Sequence, residues 1–179
     1  MRIWSFLSTF FTACAYTYTY VDYVNLSQYD GTWYEVYDDL VDETFQKWGS
    51  CVKAEYTMLE NGTIGVINSE ILPNGGKSTI NGIAYYDDDN TGGELTIKLY
   101  GGSPVPAPYW IIYLGPVVDD AYDYALVSDD KQFSLFVLAR DIERFFDLYD
   151  DEVLCIVQTM GFTRKYNKPR LVNQTDCSY

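Results

Sequence analysis

Gly31-Thr32-Trp33-Tyr34-Glu35-Val36-Tyr37 decides how the rest of the chain is read. It opens on a residue free of Cβ sterics, runs into an indole, and then alternates aromatic and β-branched types as a half-buried strand does. An indole so close to the start of a strand needs a large group to cover it. Much later, Leu135-Phe136-Val137-Leu138-Ala139-Arg140 makes a second strand-like run that ends in an Arg. A guanidinium laid over an indole face satisfies both groups, at about 0.5 to 2 kcal/mol depending on desolvation. That pairing predicts that the first and last strands meet and close a barrel. Without it, the two runs are unrelated amphipathic strands.

The chain has 179 residues, enough for one well-buried domain and short for two. Its 47% hydrophobic and 17% aromatic content, with 18 Tyr and 9 Phe, excludes a disordered chain and favours β structure lined by aromatic rings. The net charge is −14 and there is no His. No basic stripe is present to neutralise phosphates, so nucleic acid is not an expected partner. The usual general base and the commonest metal ligand are missing too, and no catalytic residue, metal or cofactor is assigned.

Residues 1–15 read as a secretory signal. Arg2 supplies a positive start, Ile3 to Phe11 is mostly apolar, and Ala13-Cys14-Ala15 fits a small-x-small cleavage site. Residues 16–179 then form a single extracellular domain. The apolar run is too short to span a membrane, and no later run approaches about 20 residues, so no transmembrane segment is expected. If Cys14 leaves with the signal, Cys51, Cys155 and Cys177 remain, an odd count that strands one thiol. Asn25-Leu26-Ser27, Asn61-Gly62-Thr63 and Asn173-Gln174-Thr175 each fit the N-glycosylation pattern.

Residues 16–28 are a Tyr-rich lead-in read as an extended arm. Eight strands follow: 32–40, 51–60, 64–72, 78–86, 94–100, 109–114, 122–128 and 133–139. Asn61-Gly62 and Pro73-Asn74-Gly75-Gly76 make turns, and Gly101 to Pro108 must be a loop because three Pro cannot sit in a ladder. Eight strands at hairpin spacing predict an all-β, up-and-down antiparallel barrel without an exposed edge. Asp38, Asp39, Asp42 and Glu43 read as solvated loop acids, since they lack the alternating-oxygen spacing of a calcium loop. Asp141 to Met160 changes to a helical period, with Ile142, Phe145, Phe146, Tyr149, Val153, Ile156, Val157 and Met160 on one stripe. Arg164 to Arg170 reads as a solvated basic turn after it.

Gly31-x-Trp33 resembles the first signature of the lipocalins, Asp119-x-x-Tyr122-x-x-Ala125-Leu126-Val127 their second, and Arg140 stands where their third has its Arg. Within that family the chain looks most like the apolipoprotein D and bacterial lipocalin type, through Cys51-Val52-Lys53-Ala54-Glu55-Tyr56, Glu60-Asn61-Gly62, Asn68-Ser69-Glu70 and Ala107-Pro108-Tyr109-Trp110-Ile111. The resemblance covers residues 25–178. It implies a calycin β-barrel with the C-terminal helix packed outside, a structural role for Gly31, Trp33, Asp119, Tyr122 and Arg140, and a Cys51–Cys177 disulfide tying the tail to the second strand. It also raises a lipid-modified Cys14, since bacterial lipocalins can be lipoproteins.

An eight-stranded barrel holds side chains or one small ligand. Stepping by two from Trp33 and Arg140 selects Glu35, Tyr37, Phe136 and Leu138 as inward. The resemblance places Tyr56, Asn68 and Glu70 inside, and stepping from them adds Ala54, Met58 and Val66. Tyr109, Ile111 and Tyr113 complete the expected lining. Such a wall, apolar with a few polar groups, suits a small hydrophobic ligand: a fatty acid, sterol, retinoid, carotenoid or bilin. The alternatives are a filled barrel that works through its surface, or a lipocalin-type enzyme acting on a lipid. No nucleophile is placed beside Glu35 or Glu70, and Cys51 is taken by the implied disulfide, so an enzyme is not the reading adopted. On the helix, Cys155 lies about 220° around the axis from Ile142, which predicts an outward thiol open to a disulfide-linked dimer.

Overall fold

The computed structural model describes residues 15–40, 49–60, 62–87, 91–101 and 105–178. Cys14, Asp42, Glu43 and Asn61, with most of the expected signal, lie outside them. The eight barrel strands are β1 (Gly31–Asp38), β2 (Ser50–Met58), β3 (Ile64–Ile71), β4 (Lys77–Tyr85), β5 (Glu94–Tyr100), β6 (Ala107–Leu114), β9 (Tyr124–Ser128) and β10 (Leu135–Ala139). Each is antiparallel to its neighbour, and β10 pairs with β1 through Tyr34↔Ala139 and Glu35↔Leu138. The sheet is therefore a closed eight-stranded barrel.

A short hairpin, β7 (Val117–Val118) and β8 (Ala121–Tyr122), precedes β9, and β11 (Arg170–Leu171) adds to the edge of β1 beyond the closure. The expected C-terminal helix is two: α2 (Ile142–Leu148) and α3 (Asp150–Thr159), broken at Tyr149, whose φ of −122° leaves the helical range. Asp141 caps α2 by accepting the Arg144 amide.

Two apolar clusters divide the molecule. The inner one holds Trp33, Tyr56, Val66, Ile111, Val127 and Leu138 among others. The outer one packs Val36, Leu126, Leu135 and Val137 of the barrel against Phe145, Val153, Ile156 and Val157 of the helices. The lead-in contributes to both. Tyr16, Tyr18 and Tyr20 lie at alternate positions, the first against Tyr113 and the other two against Trp110. The amide of Val21 then donates to the Ile111 carbonyl, and its carbonyl accepts from Gly93.

The solvated-acid reading fails for the two described members of its cluster. Asp38 forms a two-pronged pair with Arg170 at 2.8 to 3.1 Å, which also takes Arg170 out of the solvated turn. Asp39 is fully buried. Both stand where β1 meets the returning tail, so sequence-distant cover removes them from water. Cys155 departs from expectation as well: it is half-buried and disulfide-bonded within the chain, so it is not the free thiol that a linked dimer needs.

Candidate functional site

One end of the barrel is sealed by a short helix, α1 (Leu26–Tyr29). Asn25 caps it, accepting from the Ser27 amide, and drops Tyr29 into the interior. Arg140 locks this plug. Its guanidinium carbon lies 3.8 Å over the Trp33 ring, and its nitrogens donate to the carbonyls of Gln28, Tyr29, Asp30 and Thr32 at 2.6 to 3.2 Å. The Trp33 indole N–H donates to the Tyr29 carbonyl at 2.8 Å. Gly31 is required here: its φ is +103°, and a Cβ would meet Arg140 Nη1 at 3.1 Å. Tyr122 joins the same end, its phenol oxygen accepting the Asn25 amide, while Asp119 is exposed in the β7–β8 turn with φ +51°.

Above the plug, three phenols form a chain across the interior. Tyr109 Oη is 2.8 Å from Tyr29 Oη and 2.8 Å from Tyr56 Oη. All three residues are buried, and burial is the first cause of their weakened acidity: Tyr56 is pushed up to about 12, and Tyr29 and Tyr109 well above the ordinary phenol value. Unfolded phenols ionise near about pH 10, so the folded form holds protons that the unfolded form has lost. This contribution to stability is fully present below about pH 10 and is lost as pH rises through the folded values. The denaturant midpoint should therefore fall steadily above about pH 10. Tyr56→Phe, which removes one titrating group, should flatten that fall; an unchanged slope would contradict the assignment.

The inner wall beyond the phenols is built by strand alternation. Ala54 faces Asn68 across β2–β3, and Tyr56 faces Val66. Leu138 stands opposite Glu35 at the closure, and Phe136 is half-buried against the same inner cluster. Ile111 and Tyr109 line β6. Glu35 and Glu70 are buried, at 4% and 8% exposure, and Asn68 is half-buried.

Three expected lining residues are corrected. Between Glu35 and Tyr37 the register with β10 slips by one residue, and between Ile111 and Tyr113 the register of β6 with β9 does the same. Each slip is a β-bulge, which turns the following side chain to the other face. Tyr37 accordingly packs against Phe145 and Phe146 and donates to Asp150 Oδ1 at 2.7 Å. Tyr113 stacks on Tyr124, 6.0 Å between ring centres. Met58 keeps its parity but ends β2 beyond Tyr56 on the sealed side, where it is 40% exposed.

Sequence reasoning missed Tyr29, Leu95, Ala84 and, past the β6 bulge, Leu114, all of which join the inner cluster. Alternation along β4 and β5 could have found Ala84 and Leu95. Nothing in the lead-in marked Tyr29 as a plug.

At the end opposite Arg140 the wall is cross-linked. Cys51 and Cys177 form a disulfide with 5.5 Å between Cα atoms, and the Cys51 amide donates to the Asn173 carbonyl. Gln174 Nε2 bridges the carbonyls of Glu35 and Val52, at 2.7 Å each. The tail thus splints β1 to β2.

A family model described as a Lipocalin-like domain matches residues 24–166. Rat (Rattus norvegicus) apolipoprotein D is 33% identical over 112 residues, which cover 63% of this chain and 54% of the rat protein. The chain spans about half the length of the apolipoprotein D relatives it matches. The outer membrane lipoprotein Blc of Escherichia coli is 28% identical over 145 residues, covering 80% of this chain and 77% of that protein. Among solved structures, lipocalin 12 from rat epididymis superposes with a TM-score of 0.62 at 16% identity, covering 89% of this chain and 91% of that one. Apocrustacyanin C1 gives 0.60 at 19% identity, with 85% and 81% covered.

Proposed function

The chain belongs to the lipocalin-like family, and from that premise we propose that it is a secreted carrier holding one small hydrophobic ligand in its barrel. The observation that carries this reading is the division of the interior: a plugged end, a phenol floor, and above it a wall built from Ala54, Phe136 and Leu138 with the carboxyls of Glu35 and Glu70. Burial of apolar ligand surface supplies affinity at about 25 cal/mol per Å² before ordering costs are subtracted. A fatty acid, sterol, retinoid, carotenoid or bilin suits such a wall. A second reading, a filled barrel acting through its surface, is favoured by the near-complete burial of Val66, Ile111 and Val127.

Titration with a fatty acid or retinoid, followed by quenching of Trp and Tyr fluorescence, separates the two. A carrier quenches and saturates; a filled barrel does not respond. Phe136→Ala should weaken binding by roughly tenfold, the equivalent of truncating one buried apolar side chain. Tyr113→Ala should leave affinity within about twofold while lowering stability, because its ring lies in the outer cluster. The opposite ranking would return Tyr113 to the lining.

Secretion agrees with the Cys51–Cys177 bridge, since disulfides persist in oxidising compartments. Of the glycosylation candidates, Asn173 is exposed and Asn25 half-buried, and the side-chain oxygen of each accepts the amide two residues on. Material secreted from eukaryotic cells should carry glycan at Asn173, and Asn173→Gln should abolish the corresponding glycosidase-induced gel shift. A shift that persists in the variant would move the glycan elsewhere.

A further inference from the structure

The wall above the phenol floor presents hydrogen-bond acceptors that no donor among the described residues meets. Glu70 and Asn68 project inward from alternate positions of β3. The Glu70 side chain is 8% exposed, and its Oε2 atom is buried without a hydrogen-bond partner. Asn68 Oδ1 is buried and unmatched in the same way. The carboxylate sits under Gly49, where a Cβ would meet Oε2 at 2.2 Å; only a glycine lets the chain pass over it. Tyr34, Lys53 and Ser69 pair in one row across β1, β2 and β3. Glu35 and Glu70 stand one step beyond that row, two strands and roughly 10 Å of backbone apart.

A buried carboxylate oxygen and a buried amide oxygen without donors are costly unless something supplies hydrogen to them. Among the described residues, no cation pairs with Glu70: Lys53 reaches Glu55 at 3.3 Å, Arg140 is held at the sealed end by backbone carbonyls, and Lys77, beside Glu70 at the start of β4, is exposed and forms no ion pair with it. The missing group must donate at least two hydrogens and carry positive charge, and its remaining body must be apolar to meet Phe136 and Leu138. A protonated amine on a hydrocarbon or aromatic body fits all three demands. A fatty acid would bring a third carboxyl to a wall already holding Glu35 and Glu70.

We propose that the barrel selects amphiphilic amines, with the ammonium group donating to Glu70 Oε2 and Asn68 Oδ1 and the apolar body lying along Phe136 and Leu138. The proposal rests on the carrier reading and narrows it to one ligand class. A linear alkyl amine, the alcohol and the carboxylic acid of equal chain length, each below its micelle-forming concentration, are titrated calorimetrically into the full chain at neutral pH. The amine should bind at least about tenfold more tightly than the acid. Glu70→Gln, close to the native side chain in size, should erase that margin by weakening amine binding, and its thermal melt reports folding. Equal or tighter binding of the acid, or an amine preference that survives in a folded Glu70→Gln protein, overturns the proposal and leaves the carrier intact. If none of the three binds, the carrier reading itself fails.

Discussion

Arg140→Ala should lower the melting temperature by roughly 10 °C while leaving ligand affinity near that of the native chain. The guanidinium serves two purposes at once. It covers the Trp33 ring, and it donates to four backbone carbonyls of the plug segment. Removing it forfeits the cation–π contact, about 2 kcal/mol when desolvated, and the charge-assisted hydrogen bonds, roughly 1.5 to 3 kcal/mol each before water replaces them. Water can reach part of this end, so a net loss of about 3 to 5 kcal/mol is expected rather than the full sum. For a chain of this size each kcal/mol moves the midpoint by about 2 to 4 °C. Affinity should survive because the proposed ligand wall lies beyond the phenol floor. A melt within about 2 °C of the native protein would show that Arg140 is dispensable to the plug, and a large loss of affinity at unchanged stability would place it in the binding site.

The double variant Cys51→Ala, Cys177→Ala should cost about as much. The bridge closes a loop of sequence separation 126, and in the chain-entropy model its removal frees the unfolded state by about 5 kcal/mol. The native tail would still be held by Val172, whose amide donates to Val36, and by the Gln174 contacts with Glu35 and Val52. The variant should therefore remain folded at low temperature, with its denaturant midpoint shifted down and its slope steeper, because the unlinked unfolded chain exposes more surface. A midpoint shift below about 1 kcal/mol equivalent would mean that these hydrogen bonds already confine the tail in the unfolded ensemble.

Strand order was legible because period-two alternation and Asn-Gly or Pro-Asn-Gly turns are local signals. β3 and β5 follow directly from them. The bulges were not, because a one-residue slip depends on what the partner strand offers, and Val36-Tyr37 alternates on paper as well as Trp33-Tyr34 does. Tyr16-Thr17-Tyr18-Thr19-Tyr20 carries a strand-like period, but no turn signal ties it to a neighbouring strand. Asp38 and Asp39 failed for a longer-range reason: their burial is conferred by residues more than a hundred positions away, near Arg170. At the site, Glu70 and Asn68 were selected by family resemblance and parity, but the lack of a donor for either became visible only once the barrel closed around them.

The two bulges matter to anyone who would redesign this barrel. A library that randomises every second residue along β1 or β6 crosses from pocket to helix interface at Tyr37 and Tyr113. Its changes at those positions would then be spent on Tyr37–Phe145 and Tyr113–Tyr124 packing. Numbering pocket positions from each bulge rather than from the strand start keeps diversity in the pocket and the scaffold intact. On β6 the reading frame resumes at Leu114.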